Sequence, residues 1–304
     1  MLRRDFVLKS SALAIGVWLA PRPVASLGIH AKTDRMAMST VMFRSRFKQT
    51  KPADVEVVQH ELTLLDVPGY YKSRFGISNL ELWAPHFESL EKDYLQKLRA
   101  KIKDARSSLV NIQVDVNYDL AAADEAERTR SLALVKNWID AASLLGSKCI
   151  RINPGSPKGS LEKSIVSMRE VNGYAKSKKL ILLTENHFGI EMDPDVHLRI
   201  IKEAGPENMY TLPDFGNYPK ETMFESLKKI VPYAYMISAK ADTFNESMEH
   251  VSYDFDKCVQ MAESLGFKGI YSVEQWSGRE HHLDQEKVAD WMIDHVKKNI
   301  HESK

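Results

Sequence analysis

Cysteine is scarce in this chain: Cys149 and Cys258 are the only two among 304 residues. They could form one bridge at most. Cys149 ends an apolar strand-like run and Cys258 lies in a helix-like one, so both read as core residues rather than a disulfide pair. An excess of one charge is also lacking. With 42 Lys+Arg against 41 Asp+Glu the formal net charge is +1, so no nucleic-acid partner is expected. No apolar run approaches the roughly 20 residues of a membrane-spanning helix, so stable membrane insertion is not expected either. After residue 50 no Pro/Gly/Ser linker or charge block interrupts the sequence, which favours one domain. No GxGxxG or P-loop opens a helix-like segment, and no Gly-rich nest near the C-terminus suggests a phosphate cup. What is present is 43% hydrophobic content, enough for one large core or two small ones.

The first thirty residues stand apart. Arg3-Arg4-Asp5-Phe6-Val7-Leu8-Lys9 precedes the apolar stretch "SALAIGVWLA" and then "PRPVAS". A basic segment, about ten apolar residues and a small-residue zone near Ala25-Ser26 resemble a twin-arginine export signal, or an anchor if cleavage fails. Residues 1–30 are therefore expected to be a signal segment of an exported, periplasmic protein. Residues 31–52 are expected to be an N-terminal linker and 53–304 the folded domain.

Within that domain, short β-branched or apolar runs alternate with helix-period segments. The runs are "VEVVQ" (55–59), "NLELW" (79–83), "LVNIQVDV" (109–116), "KCIRI" (148–152), "LILLTE" (180–185), "MYTLPDF" (209–215), "YAYMISA" (233–239) and "GIYSVEQW" (269–276). Between them, Leu132, Val135, Trp138, Ile139, Ala142 and Leu145 share one helical face that Gly146 closes. Phe255, Val259, Ala262 and Leu265 repeat the plan, as do Val288, Trp291, Met292 and Val296 near the C-terminus. The first unit is weakest, because Pro68 and Gly69 leave no clean helix. Eight runs with intervening helices in about 250 residues predict a single-domain α/β fold, the (β/α)8 TIM barrel, whose active sites lie at the C-terminal strand ends.

Those ends carry Glu81, Asp115, Arg151, Asn153, Glu185, His187, Asp214, Asn217, Lys240 and Glu274. Packing alone needs no carboxylates on so many strands at one rim. Close carboxylates repel unless a cation lies between them. Glu185, Asp214 and Glu274 converging on one point would read as a site for a hard divalent ion, Mn²⁺ or Mg²⁺ before Zn²⁺.

The segments "LLTENH", "LPDFGN", "MISAKA" and "YSVEQW", supported by "NLELWAPHF" and "LGSKCIRINPG", resemble the xylose-isomerase-like TIM barrel family across roughly residues 53–300. The resemblance implies a sugar isomerase or epimerase with a small-molecule sugar or sugar-derivative substrate, and leaves a homo-oligomer open. It implies a divalent metal (Mn, Mg, Zn or Co) on Glu185, Asp214 and Glu274, with Glu185 and Glu274 as an acid/base pair beside a carbonyl. The family's strand-seven His ligand is replaced here by Ser238. Three outcomes stay open: His187 restores a nitrogen ligand, three carboxylates hold the ion alone, or no metal binds and Lys240 neutralises the carboxylates. His187 is otherwise a substrate contact or general base. Glu81, Arg151, Asn217 and Lys240 are candidate substrate contacts, with His86 and Trp276 shaping the rim. Two rivals remain, a lyase that cleaves oxidised glycosides by elimination and a non-catalytic carbohydrate-binding barrel.

Overall fold

The computed structural model describes residues 32–301. The expected signal segment lies outside them. Eight parallel strands form one sheet: β1 (Met36–Ser39), β2 (Asn79–Trp83), β3 (Ser108–Gln113), β4 (Cys149–Arg151), β5 (Ile181–Glu185), β6 (Met209–Leu212), β7 (Met236–Ala241) and β8 (Ile270–Gln275). Their order is β6-β5-β4-β3-β2-β1-β8-β7. The seam between β6 and β7 is closed only by single bridges, Thr211 to Ala234 and Asp214 to Ser238. The expected (β/α)8 barrel is therefore present, with helices on its outer face.

Those helices are α1 (Val67–Phe75), α2 (Lys92–Asp104), α3 (Glu125–Leu145), α4 (Leu161–Ser177), α5 (Pro194–Ala204), α6 (Met223–Ile230), α7 (Phe255–Ser264) and α8 (Gln285–Asn299). Local chemistry sets their limits. The Asp124 carboxylate accepts the Ala126 and Glu127 amides at the start of α3, and Gly146 ends it in the left-handed region at φ 78°. Ser160, Asp193, Asp254 and Asp284 cap α4, α5, α7 and α8 in the same way. The first unit does hold a helix: Pro68 sits in the first turn of α1, where its missing N–H costs nothing. Leu265 is 41% exposed, just beyond α7 instead of on its buried face.

Two apolar layers follow from the strand period. Ala37, Val110, Cys149, Leu183, Leu212, Met236 and Ile270 plug the barrel interior, and a larger shell packs strands against helices. Cys149 belongs to the plug and Cys258 to the shell, and both are free thiols. The reading of both as core residues holds.

The N-terminal boundary needs correction. Residues 31–52 are no linker, because Met36–Ser39 is β1, bonded to both β2 and β8. Residues 55–59 form no strand, and Val57 is 68% exposed. β-propensity favours "VEVV" over "MAMS", but the barrel needs a strand whose residues are buried on both faces, and all four of Met36–Ser39 are. Arg35 locks this strand in place. Its Nη2 and Nη1 reach Glu263 Oε1 and Oε2 at 2.6 and 3.1 Å, both side chains being buried.

Candidate active site

The alternation that fills the plug continues upward and turns polar. On β3, Asn111, Gln113 and then Asp115 follow one another at period two, and β7 presents Ser238, Lys240 and then Asp242. Lys240 and Glu274 are register partners on β7 and β8, while Asp214 bridges Ser238 across the seam. Glu185, Asp214, Lys240 and Glu274 are all buried, between 0% and 7% exposed. So many charges can persist in a low-dielectric mouth only by compensating one another.

Arg151 is the first compensator. Its guanidinium grips Asp115 with two bonds, Nη1–Oδ1 at 2.5 Å and Nη2–Oδ2 at 2.7 Å, and its Nε faces Glu185 Oε2 at 3.2 Å without hydrogen-bond alignment. Trp83 Nε1 also donates to Asp115 Oδ2 at 2.7 Å. Burial would raise the Asp115 carboxyl, but Arg151 holds it well below the usual range. Lys240 is the second compensator. Its Nζ donates to Asn217 Oδ1 at 2.7 Å, and the Tyr253 hydroxyl donates to its carbonyl. Burial would lower Lys240, but Asp214, Glu274, Glu185 and Asp242 outweigh it and raise the ammonium instead.

Even so, Glu185 and Glu274 are both pushed toward keeping a proton. Burial pushes Glu274 up to about 7 against the pull of Lys240, with Asp214 adding to the rise. Glu185 is pushed well above the ordinary carboxylate range by burial, and by Asp214, Glu274 and Asp115, against Arg151. Gln113 Nε2 donates to Glu274 Oε2 at 3.0 Å and is itself fixed through Oε1 by Ser39. Asn153 Oδ1 accepts the Glu185 amide, and Asn186 brackets the Asp214 backbone with two bonds.

Several expected contacts take other places. His86 is fully buried, stacked on Phe47 at 3.7 Å, and both ring nitrogens meet Thr hydroxyls, Thr40 and Thr50, at 2.9 Å. It is part of the packing and does not shape the rim. Glu81 lies mid-strand below the mouth, where Asn111 donates to Oε1 at 2.7 Å and burial raises its pKa. Arg151 is spent on Asp115 and Glu185, and Asn217 positions Lys240. Trp276 is at the rim, 39% exposed, edge-on to Trp83 and beneath the Arg44 guanidinium. His187 stands on the wall of a cleft of about 380 Å³ that it shares with Asp115, Asn153, Tyr118, Phe188 and Glu191. Neither Glu185 nor Glu274 lines this cleft. Burial, with Arg151, lowers His187 to about 4, so its imidazole is neutral at pH 7. Gln113, Asn111, Asp242 and Tyr253 were not foreseen; for the first three, the period-two pattern of "NIQVD" and "SAKAD" was the available signal.

Residues 73–299 match the model of the xylose isomerase-like TIM barrel family. The chain belongs to that family. No curated sequence matches it significantly. Among solved structures, D-psicose 3-epimerase with D-tagatose from Clostridium cellulolyticum H10 superposes with TM-score 0.65 at 13% identity, covering 87% of this chain and 99% of that one. The 3-keto-D-glucoside 4-epimerase from E. coli gives 0.61 at 13%, covering 85% and 98%. A xylose isomerase-like protein from Mycobacterium smegmatis in complex with magnesium gives 0.60 at 14%, covering 88% and 98%. At these identities the likeness is one of fold.

The xylose isomerase-like family is typically dependent on a divalent metal, so its fit to this mouth can be tested on the donor atoms. Among the described residues, Glu185 Oε2, Asp214 Oδ2 and Ser238 Oγ are buried without hydrogen-bond partners, as ligands awaiting an ion would be. Three observations weigh more. Glu185 Oε2 already faces Arg151 Nε, Lys240 lies in the field of all three carboxylates, and Ser238 supplies no imidazole. Among the described residues, the trio with ligand atoms within 4.8 Å of one another is elsewhere, at Asp54, His281 and His282. The expected metal set of Glu185, Asp214 and Glu274 is delivered to one rim but not to one point. With two fixed cations already there, the residues do not fit a divalent ion.

Proposed function

We propose that this chain is an epimerase or isomerase of a keto-sugar or oxidised sugar derivative, working by proton transfer beside a carbonyl. The observation that carries this is that Glu185 at the end of β5 and Glu274 on β8 are buried at one mouth, near enough for Glu274 to raise the Glu185 carboxyl. Both are pushed toward retaining a proton, and Lys240 stands on β7 opposite Glu274. Environments that keep a proton on one of two carboxyls at neutral pH supply an acid and a base together.

In the forward step, ionised Glu274 removes the proton from a carbon next to the substrate carbonyl. The C–H electron pair forms the new C=C bond, and the carbonyl pair moves to oxygen as an enediolate. The Lys240 ammonium offsets that charge in a dry site, where a fixed cation is worth far more than in water. Protonated Glu185 returns a proton to the opposite face of the same carbon, which inverts it. Return to the former carbonyl carbon, with the proton of the neighbouring hydroxyl passing to the former carbonyl oxygen, is isomerisation. Neutral His187 and Asn153, on the cleft wall, contact hydroxyls of the substrate.

The test is mass spectrometry of keto-sugars and 3-keto-glycosides incubated with the protein in D₂O. One deuterium on a carbon beside the carbonyl, absent with Glu185→Gln and Glu274→Gln, is the expected outcome. Release of an aglycone without exchange would make the enzyme an eliminating lyase, and neither reaction with any of these substrates would sink the proposal.

A further inference from the structure

Asp54 lies in the loop that precedes α1, and His281 and His282 end a short 3₁₀ turn, Glu280–His282, between β8 and α8. His281 Nε2 is 3.0 Å from Asp54 Oδ2, and His282 Nε2 is 3.9 Å from the same oxygen. The two imidazole rings lie with centroids 4.0 Å apart, tilted by 41°. Bonds of about 2.0–2.1 Å at tetrahedral angles separate zinc ligands by about 3.4 Å, a value these two distances bracket. The His281 side chain is only 9% exposed, enclosed by packing with Nε2 turned to Asp54. The ring is therefore held by the fold.

We infer that Asp54, His281 and His282 form a rim site for a divalent transition-metal ion. Two imidazoles and one carboxylate suit Zn²⁺, Cu²⁺ or Ni²⁺ and not the hard ions Mg²⁺ or Ca²⁺. Zinc would take these three ligands and a water as the fourth. The site joins positions 227 residues apart, so the ion would staple the loop before α1 to the connection after β8. That connection also carries Glu280, which holds Arg44 over the ring of Trp276. The staple thus fixes one side of the mouth while lying outside the proton-transfer machinery.

The test uses the full chain without a polyhistidine tag, stripped with chelator and titrated with Zn²⁺ against a chromogenic competitor. Co²⁺ absorbance reports the ligand geometry. One equivalent is expected in the parent and in Glu185→Gln/Asp214→Asn. Losing even an outer-shell partner of a metal weakens binding by about 10–100-fold, so His281→Ala/His282→Ala should weaken it at least about 100-fold. Asp54→Asn should weaken it too, with the circular-dichroism spectrum unchanged. No binding by the parent, or an equivalent that survives both rim variants, would overturn the site. An equivalent lost only in Glu185→Gln/Asp214→Asn would overturn it and the metal-free reading of the mouth together.

Discussion

Glu274→Gln isolates the electrostatic cost of the reaction centre. The Glu274 carboxyl moves from 4.5 in the unfolded chain to about 7 in the fold, chiefly because burial penalises its charged form. The folded state therefore binds the proton more tightly. Stability from this group is fully present below about pH 4.5 and is lost as pH rises toward 7. Each pH unit between those limits is worth about 1.4 kcal/mol, so the whole span amounts to about 3 kcal/mol. Glutamine keeps the shape and can still accept from Gln113, but has no proton to lose. Urea unfolding of both proteins from pH 4.5 to 8 should show the parent losing stability relative to the variant by about 3 kcal/mol, levelling off above pH 7. Glu274 also raises Glu185, so the difference reports the two carboxyls together, while the more distant titrating groups largely cancel. A pH-independent difference, or a parent that gains on the variant as pH rises, would refute the placement of a proton-retaining carboxyl at the end of β8.

Lys240→Met should reduce deuterium exchange at least about 100-fold, as loss of a charge facing an oxyanion does. Because Lys240 lowers Glu274, any residual activity should need a higher pH, so a pH–rate profile that stays in place would count against the role. Arg35→Ala leaves Glu263 buried without its cation and should cost about 3–5 kcal/mol in a denaturant titration. A near-neutral effect would return residues 31–52 to linker status. Ellman's reagent should find no reactive thiol in the native protein and two after denaturation, since Cys149 and Cys258 are buried and burial pushes both thiols up.

Seven of the eight strands were legible in the sequence because they are short apolar, β-branched or aromatic runs alternating with helix-period segments. β1 was not, because Met and Ala carry little strand preference and its pairing depends on β2 and β8, neither of them close in sequence. The charged rim was legible for the same reason as the strands: period two places Glu185, Asp214, Lys240 and Glu274 on the inward face. What period two cannot say is depth. Glu81 within β2 and His86 just beyond it belong to a strand that looks like the others, yet one lies below the mouth and the other is enclosed by Phe47 and two threonines.

Whether inward carboxylates meet at a metal or at a protein cation is a matter of a few ångströms, and the deciding residues were visible only as exceptions. Where the family resemblance expects an imidazole, Ser238 offers a hydroxyl; both are neutral, so the charge of the surrounding carboxylates is unchanged. Two residues further along the same strand face, Lys240 supplies one positive charge, and across the mouth Arg151 supplies another, already bonded to Asp115 and facing Glu185. Adding a divalent ion between them would place it beside two fixed cations, and Coulomb repulsion in a buried site makes that costly. The same two cations leave a net balance in which Glu274 can still hold a proton near neutrality. A bound divalent ion would lower that carboxyl and weaken it as a base. In this chain the two fixed cations and the raised Glu274 carboxyl are one electrostatic arrangement.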